Sequence, residues 1–361
     1  MTIINFMPAY AEAPVSLHLL KANVEAGLAK ISELAAAGEV AVVLPANETE
    51  LLAKVAETGA KACPTDGSFG FVYSNATALE RVVAGEKPVP QGTSERAEAT
   101  VVSGEALLSG DDATKLVWAA GAEAPVSVPA HTTGEALLAA LGVEASEAKA
   151  VYLGFPQGAF VDAAHLADEL DVASDYVRVY TQKNCMANAL FEICDRYRKE
   201  TCGHCVFGHE GSYQLDVIAS DICHKKGRPA QVDLVRDLTP VMAEQSLCEV
   251  GQTMARTVAA AFDLFGDEIE QHFTKKVCPA GECQAYMTYH ILPTKCIGCG
   301  ECVDACEEEA ILGKPRFIHV IDQKACTKCG ACLSACEEGA IIMAGADKPR
   351  TPPRPIPIRK R

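Results

Sequence analysis

No apolar run in this 361-residue chain approaches the roughly 18 residues a membrane-spanning helix requires, so no segment is predicted to cross a bilayer. Basic residues are scarce. The 32 Lys and Arg against 48 Asp and Glu leave a net charge of −16, which argues against nucleic acid as a partner. The opening MTIINFMPAYAEAPVSL lacks a basic segment followed by an apolar core, so no signal peptide is expected. No Ser–His–Asp set, P-loop or paired acids stand out, so the residues offer no bond-making chemistry of their own. Aromatics are few, but 49% of residues are hydrophobic, enough for the packed cores of two to four small domains.

What the chain has is cysteine, 17 of them. Without a signal peptide these read as metal ligands in a reducing cytoplasm rather than as disulfides. Eight fall in two runs, CIGCGECVDAC from Cys296 and CTKCGACLSAC from Cys326. Each is C-x2-C-x2-C-x3-C, the spacing that wraps thiolates round a [4Fe–4S] cluster, the fourth Cys of each run serving the other cluster. Cys296, Cys299, Cys302 and Cys336 are therefore expected to hold one cluster, and Cys326, Cys329, Cys332 and Cys306 the other. Eight thiols in this repeat overshoot the four ligands of a zinc site. Ile297, Ile311, Leu333 and Ile341 are expected to form dry walls. Glu307 and Glu337 stand where proline usually follows the fourth Cys, adding negative charge that lowers the potentials.

The rest of the chain reads as an α+β multidomain protein. Residues 17–36 have the stripe of one amphipathic helix, with Leu20, Val24, Leu28 and Ile31 on one face. A buried strand over 39–46 and a helix ending at Gly59 follow, the alternation of a small α/β layer. Cys63 reads as a lone buried thiol. A capped helix at SNATALERVVAG, a strand at TKLVWAAG, a strand–turn–helix at 125–142 and a strand pair round Gly154 and Gly158 suggest a β-grasp module at about 125–175. Four helical stretches over 186–273 suggest a four-helix bundle. In the last, Val250, Met254, Val258, Phe262, Phe265 and Ile269 form a core stripe. Cys194 and Cys223 read as buried helix thiols, and His165, His224 and His290 as surface or packing residues. The ending DKPRTPPRPIPIRKR, with Arg350, Arg354, Arg359, Lys360 and Arg361, reads as a basic, extended tail: a disordered end, or else a docking strap.

ETCGHCVFGHEG, with SLCEVGQTMA forty residues on, resembles the cluster-binding helical domain of the flavin subunit of respiratory complex I, whose pattern is E-S-C-G-x-C-x-x-C-R-E-G and then S-L-C. KKVCPAGECQAY leading into a two-cluster ferredoxin domain resembles the flavin subunit of electron-bifurcating [FeFe]-hydrogenases. VYSNATALERVVAG resembles that family's V-N-N-V-E-T-L segment, of whose paired asparagines only Asn75 remains, and TKLVWAAG followed by VSVPAHTTGEALLAALG resembles its soluble-ligand-binding β-grasp (SLBB) domain. The likeness runs from about Phe71 to Met343. It implies a remnant of the flavin-binding α/β domain over 1–120, an SLBB-like module over 121–180, a helical cluster-binding bundle over 181–275, a two-cluster ferredoxin domain over 276–346 and the tail over 347–361.

Residues 1–120 contain nothing like the family's glycine-rich G-R-G-G-A-G-F-P-T-G loop, and the first 70 residues are too short for a complete nucleotide-binding domain. FMN is therefore not expected. Cys202, Cys205 and Cys248 are expected to hold a third cluster, the alternative being a vestigial site without metal. Gly208 takes the place of the family's remaining thiol, and the neighbouring His209 is the candidate replacement. The family's structural zinc implies a site made by Cys185, His272, Cys278 and Cys283. The function implied is that of an iron–sulfur electron-transfer subunit in a cytoplasmic oxidoreductase, partnered by flavin, [2Fe–2S] or terminal-enzyme subunits. Rival readings are an NADH-oxidising flavoprotein with an altered FMN site and a partner-binding adaptor.

Overall fold

The structure, a computed structural model, describes residues 1–68, 70–91, 96–109 and 113–358. The chain divides into two compact units. One comprises residues 1–182, 189–220 and 230–266; the other comprises 183–188, 221–229 and 267–361.

The first unit opens with β1 (Thr2–Asn5), α1 (Val15–Ala22), α2 (Val24–Ala37), β2 (Val40–Pro45), α3 (Thr49–Glu57), β3 (Lys61–Thr65), α4 (Ala76–Val83), β4 (Thr100–Ser103) and α5 (Gly104–Ser109). The four strands make an all-parallel sheet in the order β3-β2-β1-β4. β2 is apolar and buried because helices and loops cover both faces of the sheet. The helix expected over 17–36 is two helices. Asn23 leaves the helical region at φ −146°, and its side-chain oxygen accepts the Ala26 N–H at 3.2 Å, so a cap restarts the helix there. Leu20 and Ile31 still meet in one core with Ile4, Val42 and Leu44. Cys63 is buried on β3.

A five-stranded sheet follows, in the order β6-β5-β11-β8-β9. Its strands are β5 (Thr114–Ala119), β6 (Val126–Pro129), β8 (Ala148–Leu153), β9 (Ala159–Asp162) and β11 (Tyr176–Thr181). Between them lie β7 (His131–Thr133), α6 (Gly134–Ala140) and β10 (Glu169–Asp171), with β7 and β10 paired antiparallel. Thr133 caps α6 by accepting the Ala136 N–H, and Leu137 and Leu138 pack on Val117, Val151 and Val177. This is the grasp of a mixed sheet round one helix, and β5 already belongs to it.

Four helices come next: α7 (Met186–Glu200), α8 (Val206–Cys223), α9 (Pro229–Gln245) and α10 (Glu249–Thr274). Val250, Met254, Val258, Phe265 and Ile269 are buried along α10, which kinks at Phe265 just before Gly266. Gly158 joins the β8–β9 turn to α10. Its φ is +56°, and a Cβ there would stand 2.3 Å from Thr257 Oγ1, while the Thr257 hydroxyl donates to the Gly158 carbonyl at 2.6 Å. Among the described residues no helix is long and apolar enough to cross a membrane.

The second unit ends in the cysteine repeat. β12 (Thr288–Ile291) pairs antiparallel with β16 (Ile341–Ala344). Between them come α11 (Glu301–Asp304), β13 (Ile311–Leu312), β14 (Phe317–Ile318), β15 (Val320–Ile321) and α12 (Ala331–Ala335). The two halves repeat each other's backbone. Gly298 and Lys328 have φ of +71° and +64°, Gly300 and Gly330 +107° and +85°, Glu309 and Gly339 +50° and +56°. The tail is not a free end. β17 (Ile356–Pro357) pairs antiparallel with β14, and Ile358 N–H donates to Arg316 O at 3.0 Å. Alternating Pro and Ile leaves the donors of Ile356 and Ile358 in the strand while each proline contributes none. Arg359, Lys360 and Arg361 lie outside the described residues.

Candidate metal and cluster sites

Each half of the repeat brings three thiols together in a tight loop that runs into a one-turn helix, α11 or α12, starting at a left-handed glycine. The buried thiol of each half has cysteines from both halves around it. Cys302 is pushed up to about 12 by burial and then by its neighbours Cys296, Cys299 and Cys336, with Cys332 a lesser influence. Cys332 is raised by burial and then by Cys326, Cys306 and Cys329. Cys306, Cys326, Cys329 and Cys332 line one cavity together with Tyr289, Ile311 and Ile321. Four thiols of mutual negative potential round an apolar void fit a group that supplies positive charge, as the iron of a cubane does. Of the expected walls, Ile311 and Ile341 are buried, whereas Ile297 and Leu333 are 57% and 43% exposed. Their flanking sulfurs turn inward and leave them facing out, and Ile291 and Ile321 complete the core instead.

Cys185, His272, Cys278 and Cys283 converge although they come from three segments. All four are buried, and their ligand atoms lie within 4.8 Å of one another. Cys185 Sγ stands 3.2 Å from His272 Nε2 and 3.6 Å from Cys283 Sγ, and Cys283 Sγ is 3.7 Å from Nε2. A tetrahedral zinc with Zn–S of about 2.3 Å and Zn–N of about 2.05 Å sets its ligand sulfurs about 3.8 Å apart and sulfur to nitrogen about 3.5 Å. The set therefore fits one ion, and it is too tight for the body of a cubane. The His272 tautomer suits a metal. Nδ1 faces the Glu268 carbonyl at 3.1 Å, which can only accept, so Nδ1 carries the proton and Nε2 presents its lone pair to the thiols. Tyr286 packs edge-on against the His272 ring at 5.0 Å and donates to the Ile222 carbonyl. Hydrogen bonds from Cys185 and Cys283 hold Cys278 far below the usual thiol range, while the bond to Cys278 pushes Cys185 far above it. So crowded a trio of thiols ionises together only round a cation. Cys223 lies against Cys283, closer to this site than a plain helix thiol.

In the helical region, Cys202 and Cys205 lie in the loop before α8 and Cys248 just before α10. Cys248 is raised to about 11, mainly by burial, with Cys202 and Cys205 adding their charge. Gly208 does more than lack a thiol. Its N–H donates to Cys205 Sγ at 3.3 Å, and a Cβ there would stand 2.6 Å from that sulfur. His209 Nδ1 is 4.0 Å from where a Cβ on Gly203 would be, which places the ring over the loop between the two cysteines. Sequence reasoning missed Ser246, whose buried hydroxyl has no hydrogen-bond partner and sits beside Gly251 and Gly208. Asn75 caps α4 and donates to Glu249 at the start of α10, at 3.0 Å. His165 is exposed and paired with Asp162, and His290 is buried with Nε2 2.8 Å from Thr288 Oγ1. Cys194 is fully buried, and that burial raises its pKa.

These arrangements define a protein with buried cysteine sites that can hold metal ions or clusters. Residues 188–272 match the NADH-ubiquinone oxidoreductase-F iron–sulfur binding region, and residues 295–340 match a 4Fe-4S dicluster domain. The C-terminal half therefore carries a domain pair homologous to that of the 51-kDa protein of complex I and of NAD-reducing hydrogenase subunits. The NADP-reducing hydrogenase subunit HndC of Solidesulfovibrio fructosivorans is 36% identical over 47% of this chain and 37% of its own length. The mitochondrial NADH-ubiquinone oxidoreductase 51 kDa subunit of Neurospora crassa is 26% identical over 29% of this chain and 20% of its own. An NAD+-reducing [NiFe]-hydrogenase crystallised in the H2-reduced state shares the fold, with a TM-score of 0.65 at 15% identity over 76% of this chain and 56% of that one. The chain thus spans well under half the length of the curated relatives it matches.

Proposed function

We propose that this chain is an iron–sulfur relay that passes single electrons between subunits of a larger oxidoreductase and carries no flavin of its own. What supports this reading is the meeting of Cys306, from the first run, with Cys326, Cys329 and Cys332 of the second round one cavity. Cys296, Cys299, Cys302 and Cys336 hold one [4Fe–4S] cluster, and Cys306, Cys326, Cys329 and Cys332 the other. The clusters supply the one-electron chemistry. The protein contributes thiolates, an apolar wall and an exposed edge, since Cys299 and Cys329 reach the surface.

A third cluster sits on Cys202, Cys205 and Cys248, with His209 in place of the missing thiolate. Cys185, His272, Cys278 and Cys283 hold a structural zinc. The domains follow divisions at 180, 275 and 346, with the β-grasp module opening at β5 rather than at 121. The partners are flavin, [2Fe–2S] or terminal-enzyme subunits in the cytoplasm, and the acidic surface suits a basic docking face.

Anaerobic reconstitution followed by iron, sulfide and flavin analysis tests the reading. About twelve irons per chain mean three cubanes and about eight mean two. In the twelve-iron protein His209→Ala changes one cluster's electron paramagnetic resonance signal. An unchanged spectrum removes His209 and turns attention to Ser246. Stoichiometric flavin in the acid extract would overturn the relay reading in favour of a flavoprotein.

A further inference from the structure

The two halves of the cysteine repeat match in backbone but not in cover. Between them, residues 313–318 lie against the first loop. Arg316 N–H donates to Gly298 O at 3.0 Å, and a Cβ on Gly298 would stand 2.7 Å from the Phe317 carbonyl. At the corresponding place in the second half, Lys328 extends its amine to the carbonyls of Gln284 and Ala285.

The segment runs into His319, which takes the place of Tyr289 in the second half and is 1% exposed. Its Nδ1 lies 3.8 Å from Cys302 Sγ, within reach of a sulfur hydrogen bond. Its Nε2 is buried with no partner. Gly313 is shaped to the ring, since a Cβ there would come within 1.7 Å of His319 Cδ2. Gly313 lies outside the left-handed region, so glycine is needed there for the imidazole and not for the backbone. A cluster-bound thiolate can only accept, so a hydrogen bond between the two places the imidazole proton on Nδ1, pointing at Cys302. The cavity of the other cysteine set is lined instead by Glu308 and Tyr289, without an imidazole.

Resting on the two-cluster reading above, we propose that His319 is a positioning residue that donates an N–H···S hydrogen bond to Cys302 and raises the potential of the cluster on Cys296, Cys299, Cys302 and Cys336 above that of its neighbour. Hydrogen bonds to cluster sulfurs withdraw negative charge and favour the reduced state. An electron entering this domain then settles on the His319-facing cluster, and the half-reduced chain has a defined polarity.

The test is an anaerobic potentiometric titration of the reconstituted full chain, followed by electron paramagnetic resonance. The variants are His319→Leu and His319→Asn, which have similar bulk but differ in the donor. His319→Leu should lower one cluster potential by at least a tenfold change in its reduction equilibrium, 59 mV for one electron. The other potential should stay in place, and His319→Asn should restore most of the loss. A role in packing alone would move both variants alike, and that outcome, or two unmoved potentials, overturns the proposal. If His319→Leu fails to hold its clusters, the wild-type chain labelled with 15N-histidine decides by pulsed resonance. Coupling of one imidazole nitrogen and one exchangeable proton to a single reduced cluster supports the bond, and absence of both overturns it. Fewer than about eight irons in the wild-type chain would defeat the two-cluster reading itself before His319 is reached.

Discussion

Replacing His272 by Ala probes the mononuclear site directly. The change removes the one neutral ligand and leaves Cys185, Cys278 and Cys283 in place. Structural zinc binds with an apparent free energy of about 10–16 kcal/mol, or roughly 3–4 kcal/mol for each of four ligands. Losing one should weaken zinc by about 10²- to 10³-fold. Competition with a chromophoric chelator under anaerobic conditions measures this, and elemental analysis gives the stoichiometry. Iron in the ferredoxin repeat should be unaffected, because none of its eight cysteines belongs to the set. Glu282→Gln is the milder companion. Glu282 accepts the Cys185 N–H at 2.5 Å, so its loss loosens one ligand and should cost about tenfold. A wild-type chain without zinc, or a His272→Ala variant with affinity within threefold of wild type, would refute the assignment. Iron lost together with the metal of this site would make it part of a cluster.

Three further outcomes follow from the geometry. Cys336→Ser should abolish or convert the signal of the cluster otherwise held by the first run and leave the second run's intact, with Cys306→Ser doing the reverse; electron paramagnetic resonance of each variant reads this, and loss of the signal belonging to the mutated run would rule out crossing. Glu200 is raised to about 7, chiefly by burial although it accepts the Phe71 N–H at 2.7 Å, so its contribution to stability is present in full below about pH 4.5 and lost as pH rises through about 7. Glu200→Gln should flatten that decline, about 3 kcal/mol at most, in denaturant unfolding between pH 4.5 and 8, and an unchanged slope would contradict it. Gly158→Val should destabilise the protein by about 3–5 kcal/mol, combining left-handed strain with collision against Thr257 and Thr253, whereas a loss below 1 kcal/mol would show that the turn yields.

The dicluster repeat was legible because its cysteine spacing is local: three thiols of each run fall in one seven-residue span. Helices α7 to α10 were legible from their apolar stripes. The parallel strands β1, β3 and β4 were not. TIIN and KACPT are short, one contains a proline, and what makes them strands is pairing with β2 across the chain. Asn23 was hidden because a cap inside an apolar stripe leaves the periodicity intact. Cys185 and His272 stand 87 positions apart, so no spacing joined them, and only a family resemblance brought them together before the fold did. His319 left no mark at all. It stands seven residues before Cys326, as Tyr289 stands before Cys296, but the two residues differ in kind, and its meaning comes from a loop folding back on Gly298 and Cys302.

The relay itself is tested most directly by reductive titration of the anaerobically reconstituted chain with a low-potential one-electron donor, counting electrons taken up and spins formed. A relay of [4Fe–4S] clusters should accept one electron per cluster, two for the C-terminal pair and three with the helical site, each giving a paramagnetic signal and none accompanied by two-electron bleaching of a flavin. Uptake of no electrons, or a two-electron flavin step driven by NADH, would contradict it.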